Sequence, residues 1–326
     1  MAPLPPAVAA CRLAVRESLA GWEAGGLVLA ACSGGSDSLA LAAALAFVAP
    51  RAGLRAGLVT VDHGLQPGSA ERAAEVAEWG DRAGLTPAVV AQVTVRRAGG
   101  PEAAARTARY QALAEVAARV SATAVLLGHT RDDQAETVLL ALTRGGGPRG
   151  IAGMPQRRIM HGVTFVRPFL DVSRAQTRAA CADLGLKPWE DPHNADPAYT
   201  RSRLRAAMPV LVDTLGPDIV DNLARTARLV AADVEALDAL AASAGTAAAN
   251  PDGSLDVPSL AGLPSAVRTR VLRGYALRLG VPGAALSAAH IDALDALVMN
   301  WHGQGPVALP GGILVGRGAG RLASPP

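Results

Sequence analysis

The chain has 326 residues, half of them hydrophobic but only 3% aromatic, and Ala, Leu, Val and Gly dominate. That excludes a disordered chain and an aromatic β core, and it suits helices close-packed on a sheet in more than one domain. The formal net charge is only +3, yet Lys187 is the only lysine among 31 basic residues. Phosphate must therefore be held by arginine, backbone amides or metal rather than by a P-loop lysine.

Pro3, Pro5 and Pro6 precede an amphipathic segment and do not resemble the start of an export signal. Strands are predicted at 27–31, 57–61, 87–93 and 124–128, and helices at 37–49, 69–83, 101–120 and 131–143. The apolar run 39–49 stops at Pro50, too short to span a bilayer, so no membrane partner is expected. Regular alternation of strand and helix predicts a Rossmann-like α/β fold, a parallel sheet covered on both faces with ligands at the carboxyl ends of strands.

After Arg144 the rhythm breaks at Gly145, Gly146 and Gly147, then resumes with a strand at 165–167 and a helix at 173–184. The polar, proline-punctuated stretch 188–197 reads as an ordered functional loop. Gly216 and Pro217 mark the expected boundary between a catalytic domain, 1–215, and a smaller, mainly helical domain, 216–326. Helices are predicted there at 218–242, 265–279 and 287–298, with strand-like runs at 306–309 and 313–315. Cys11, Cys32 and Cys181 are odd in number and widely spaced, which argues against a disulfide framework or a cluster site and for a reducing cytoplasm.

Ser33-Gly34-Gly35-Ser36-Asp37-Ser38 lies between a predicted strand and a predicted helix. Two glycines allow close backbone approach, helix-start amides point at an anion, and the serine hydroxyls add donors, an arrangement suited to pyrophosphate or the phosphates of ATP. An acidic residue in an anion loop is repulsive unless a divalent cation intervenes, so Asp37 reads as a Mg²⁺ ligand. The competing reading is a Gly-Ser turn with Asp37 as a helix-start charge. Asp62-His63-Gly64, ending the next strand, can flank adenine and ribose or simply make a turn.

His129, Asp133 and Glu136 stand at i, i+4 and i+7 and converge on one face at a strand end. A negative pocket there suits an amine-bearing substrate and removal of its proton; caps and solvated charges are the plainer alternative. Arg201, Arg203 and Arg205 recur at every second position, and if that segment is helical Arg201 and Arg205 share a face able to clamp phosphate or carboxylate. Arg106 lies on a predicted helix with Glu102 and Arg109, where a solvated face is the usual explanation.

The SGGSDS loop resembles that of the N-type ATP pyrophosphatases. With VDHGLQPGS from Val61, EAAARTARY from Glu102, GHTRDDQAET from Gly128, RGGGPRGIAGM from Arg144, RPFL from Arg167, and EDPHN and YTRSRLR within Glu190 to Arg205, the chain resembles the tRNA-isoleucine lysidine synthetases. That resemblance implies ATP and Mg²⁺, L-lysine, and a tRNA(Ile) with a CAU anticodon. ATP adenylates the C2 oxygen of the wobble cytidine, and the lysine amine then displaces AMP.

It also implies that Asp37 supports adenylation while Arg106, His129, Asp133, Glu136 and an arginine of the 201–205 cluster line the active site. Asp133 and Glu136 are expected to receive the amines of lysine. A homodimer is left open, as is the arginine that takes the carboxylate of lysine. Two rivals remain: a relative that thiolates tRNA, disfavoured by isolated cysteines, and a non-catalytic ATP- or tRNA-binding module, which has no use for a convergent acidic set.

Overall fold

A computed structural model describes residues 3–62, 64, 68–93, 101–190 and 196–324, with backbone alone for 101–105. Two compact units emerge, Met1–Val230 and Ala231–Pro326. The first holds a six-stranded sheet in the order β3-β2-β1-β4-β6-β5. Its strands are β1 (Leu27–Ala31), β2 (Arg55–Asp62), β3 (Ala88–Gln92), β4 (Ala122–Leu127), β5 (Arg157–Met160) and β6 (Val163–Val166). All neighbours pair in parallel except β5 with β6.

Central β1 is buried at all five positions, which is why it reads as a continuous apolar run rather than an alternating one. Val28 and Ala30 join the core formed with α1 (Pro6–Ser18), α2 (Ser36–Val48) and α7 (Arg174–Asp183), while Leu27 and Leu29 join the core formed with α4 (Pro101–Arg119). The chain runs outward from β1 through β2 and β3, then returns to place β4 on the other side of β1. This reversal opens a crevice between the carboxyl ends of β1 and β4, the place where such sheets bind ligands.

The remaining helices of this unit are α3 (Ser69–Arg82), α5 (Arg131–Thr143), α6 (Gly147–Ile151) and α8 (Thr200–Leu215), and α9 (Ile219–Ala247) begins within it. Edge strand β5 was not foreseen. It joins β6 through His161 and Gly162, both at positive φ, as a two-residue hairpin turn of this kind requires. Gly216, at φ +98°, ends α8, but the compact unit continues to Val230. Arg131 Nε lies 3.0 Å from Asp221 Oδ1, tying the start of α9 to the start of α5.

The second unit packs α10 (Val257–Ala261), α11 (Ser265–Arg278) and α12 (Ala288–Met299) with a small antiparallel sheet ordered β7-β10-β9-β8. Its strands are β7 (Leu255–Asp256), β8 (Val307–Leu309), β9 (Ile313–Gly318) and β10 (Arg321–Ala323). Leu260, Leu272, Leu294, Leu297, Val315 and Leu322 form its own core. The two strand-like runs expected near the C-terminus are β8 and β9, and the short β7 and β10 complete the sheet. No helix among the described residues is long and apolar enough to cross a membrane.

Candidate active site

A cavity of about 810 Å³ opens at the β1/β4 crevice. Its floor is the segment between β1 and α2. Gly34 turns the chain at φ +87°, and Gly35 in extended conformation caps α2 without a side-chain acceptor, leaving first-turn amides open to an anion. Ser33, Gly35, Ser36, Asp37 and Ser38 line the cavity. The hydroxyl of Ser38 accepts from the Ser33 amide at 3.1 Å and donates to the Gly35 carbonyl at 2.9 Å. Ser38 thus braces the loop rather than offering a free donor.

Gly128 explains how the loop is seated. A Cβ there would lie 3.0 Å from the Asp37 carbonyl oxygen and 3.1 Å from the Ser38 amide, so α2 starts directly against the end of β4. On the other side, the Trp189 amide donates to the Gly34 carbonyl at 2.9 Å. The face of α7 closes the third side. Thr177 donates its hydroxyl to Asp37 Oδ1, and Cys181 Sγ reaches the Ser36 carbonyl at 3.3 Å.

Burial pushes the Asp37 carboxyl above its usual range, against the opposing hydrogen bond from Thr177. Its Oδ2 lies 3.8 Å from Arg174 Nε, beyond hydrogen-bond reach. No cluster of three or more His, Cys, Asp or Glu side chains suited to a metal exists among the described residues. A lone, partly engaged carboxylate fits a cation that shares phosphate oxygens, as Mg²⁺ does, rather than one held in an all-protein cage.

Thr130 caps α5. Asp133 Oδ2 accepts from the Thr130 amide at 2.9 Å and hydroxyl at 3.0 Å in a capping box. The other oxygen, Oδ1, faces Arg174 Nη2 at 2.8 Å and Arg205 Nη2 at 3.2 Å. Glu136, 1% exposed at its side chain, meets the same two guanidiniums: Oε1 lies 3.1 Å from Arg174 Nη2 and 3.0 Å from Arg205 Nε. Asp133 is thus a cap through one oxygen, as the plainer reading had it, and an arginine partner through the other rather than a solvated charge.

The expected negative pocket is corrected by this geometry. Two carboxylates and two arginines form a neutral cluster, and Arg174 and Arg205, not Asp133 and Glu136, line the cavity. The desolvation that would raise the Asp133 carboxyl is outweighed, chiefly by Arg174, and its pKa falls below the usual value. His129, ending the β4 connection, does line the cavity. Burial, then the charge of Arg109, pushes its pKa down to about 3, so the imidazole is neutral, and its buried Nδ1 has no partner among the described residues.

The remaining candidates separate by position. Arg201 Nη2 lies 3.3 Å from the Thr137 hydroxyl of α5, close behind the cluster. Arg203 instead donates to the Pro197 and Ala198 carbonyls, bracing the start of α8. Arg106 is exposed, its guanidinium 5.3 Å from the Tyr110 ring centroid, whereas Arg109, one turn on, lines the cavity. Asp62 is buried on the cavity wall and accepts from the Gly64 amide at 2.9 Å; His63 lies outside the described residues, as do Asp191 to Asn194.

Sequence reasoning missed Arg174, Thr177 and Trp189. Thr177 and Trp189 carry no local motif, and Arg174 follows only an ordinary Ser173 N-cap. Their significance arises from the packing of α7 and the following loop onto α2 and α5.

The same architecture is found in known proteins. A family model described as a PP-loop domain matches residues 15–211, and one described as a TilS substrate binding domain matches residues 255–323. Among solved structures, the U34-tRNA thiolase NcsA from Methanococcus maripaludis with its 4Fe-4S cluster superposes with a TM-score of 0.57 at 16% identity, over 69% of this chain and 80% of that one, a likeness of fold. The tRNA(Ile)-lysidine synthase of Salinispora tropica is 62% identical over 99% of this chain and 98% of that protein. Those of Thermobifida fusca and Streptomyces coelicolor are 58% and 52% identical, covering 94% and 97% of both chains. With such identity along nearly its whole length, the chain belongs to the tRNA(Ile)-lysidine synthase family.

Proposed function

We propose that the protein ligates free L-lysine to C2 of the wobble cytidine in the CAU anticodon of tRNA(Ile), using ATP and releasing AMP and pyrophosphate. The observation that carries this reading is one cavity with an anion loop on its floor and a carboxylate–arginine cluster on its wall. The loop amides orient the triphosphate so that the cytidine C2 oxygen attacks the α-phosphorus in line with the departing pyrophosphate. Mg²⁺ held by Asp37 and phosphate oxygens would neutralise charge that accumulates on the leaving group.

Asp133 and Glu136 receive the amines of lysine only when Arg174 and Arg205 yield their places, since one carboxylate cluster cannot satisfy both sets of cations. An arginine released in this way is free to take the carboxylate of lysine, with Arg205 and Arg201 the nearest candidates on α8. Neutral His129 can accept a hydrogen bond from the attacking amine through its unpartnered Nδ1 and so orient it. On this reading the enzyme works in the cytoplasm, where its three free thiols persist.

The test is to incubate the protein with a CAU tRNA(Ile) transcript, Mg-ATP and labelled lysine. Label is expected in the tRNA, with AMP and pyrophosphate in equal amounts. AMP and pyrophosphate without label in the tRNA would overturn the assignment of substrate.

A further inference from the structure

The anion loop has no cation of its own, and three carboxylates, Asp37, Asp62 and Glu190, share the cavity lining. A triphosphate entering here needs added positive charge. Arg174 and Arg205 do not supply it freely, because Asp133 and Glu136 already neutralise them. The single lysine of the chain, Lys187, is exposed and does not line the cavity.

Three other arginines line it: Arg109 of α4, which adjoins His129, and Arg72 and Arg178, whose elements pack on the loop itself. Arg72, on α3, lies with its guanidinium 3.5 Å over the ring of Trp189, and Trp189 is fixed to the loop through the Gly34 carbonyl. Stacking holds a guanidinium by its face and leaves its N–H edge for a ligand. Arg178 lines the cavity from α7. The neighbouring residues Arg174, Thr177 and Cys181 share its helical face, and Thr177 and Cys181 are bonded to Asp37 and Ser36. Neither Arg72 nor Arg178 meets a carboxylate among the described residues.

We propose that Arg72, braced on Trp189, and Arg178 grip the β- and γ-phosphates of ATP and retain the pyrophosphate as it departs. The inference rests on the ATP reading above and extends it to named side chains. When the cytidine oxygen bonds to the α-phosphorus, the bond from that phosphorus to the bridging oxygen breaks. Its electron pair leaves on pyrophosphate, where two guanidiniums stabilise it more than they stabilise bound ATP. They thereby take the part that a lysine plays in the Gly-x-x-x-x-Gly-Lys loop.

The test is calorimetric titration of the whole protein with Mg-ATP, AMP and inorganic pyrophosphate, for wild type, Arg72→Ala, Arg178→Ala, Trp189→Phe and Trp189→Ala. Each arginine variant is expected to weaken ATP and pyrophosphate about tenfold while leaving AMP unchanged, the loss of one charge-assisted contact. Trp189→Phe retains the stack and wild-type affinities; Trp189→Ala follows Arg72→Ala. Equal weakening of AMP, or unaltered pyrophosphate affinity, overturns the assignment. Wild-type protein that binds neither ATP nor pyrophosphate would instead overturn the ATP reading itself.

Discussion

Arg174 is the side chain on which the active-site wall depends. Its Nη2 lies 2.8 Å from Asp133 and 3.1 Å from Glu136, and Glu136 is almost wholly buried. Removing one partner from a buried ion pair leaves charge uncompensated, at a cost of about 3–5 kcal/mol. Arg174→Ala is therefore expected to lower stability by about 3 kcal/mol in urea titration. Glu136→Gln in the same chain should recover part of that, because the uncompensated charge is then gone; full additivity of the two losses would argue against the pairing.

His129 makes a pH-dependent contribution of definite sign. Its pKa is about 3 in the folded chain against 6.5 for a free imidazole, so below 6.5 the unfolded chain binds a proton that the folded one refuses. Stability from this group is intact above pH 6.5 and is lost as pH falls toward 3. His129→Gln should flatten the decline of the urea midpoint between pH 6.5 and 4, by a slope of at most about 1.4 kcal/mol per pH unit. An unchanged slope would mean that His129 charges readily in the folded state.

At the scale of elements, the seating of α2 against β4 is the tightest joint. Gly128→Ala would place a methyl carbon 3.0 Å from the Asp37 carbonyl oxygen, and backbone cannot step aside as a side chain can. The variant is expected to lose Mg-ATP binding measured by titration, with a stability cost of about 1–3 kcal/mol. Retained ATP affinity would show that the phosphate loop tolerates displacement from the sheet.

The elements that could be read in advance were those whose environment leaves a local signature. β1 and β4 are buried on both faces and read as apolar runs, and α5 announced itself by Thr130 and its acidic first turn. β5 did not, because Arg157 and Arg158 lie exposed on an edge strand and resemble a basic loop. α8 was only a conditional helix. It carries Pro209 within it, which reads as a helix breaker, and its apolar positions Leu204, Met208 and Leu211 are only half-buried. For the site, the acidic helix and phosphate loop were visible as motifs, whereas Arg174 and Trp189 acquire their partners only through packing between segments distant in sequence.

At the scale of the whole molecule, Gly216 and Pro217 read as the domain boundary, and a helix does stop there. Compactness follows contacts instead, and the Arg131–Asp221 pair together with buried Ala224 and Ala227 keeps the first turns of α9 within the first unit. The second unit has its own core, with Leu294 fully buried on α12. Leu294→Ala should destabilise that unit by about 2–5 kcal/mol while Mg-ATP still titrates onto the first with unchanged affinity. Loss of ATP binding in parallel would show that the two units do not unfold independently.

The arginine-lined cavity has one more consequence, for chemical selectivity. An adenylated cytidine is an electrophile awaiting an amine, and a lysine in the wall would be a competitor tethered beside it at high effective concentration. Guanidinium stays protonated and is no such nucleophile. With Arg72, Arg109, Arg174, Arg178 and Arg205 as the lining cations and Lys187 outside, the described wall offers positive charge without a side-chain amine. On the proposed reaction, such a wall presents no side-chain amine to compete with the incoming lysine for the activated carbon.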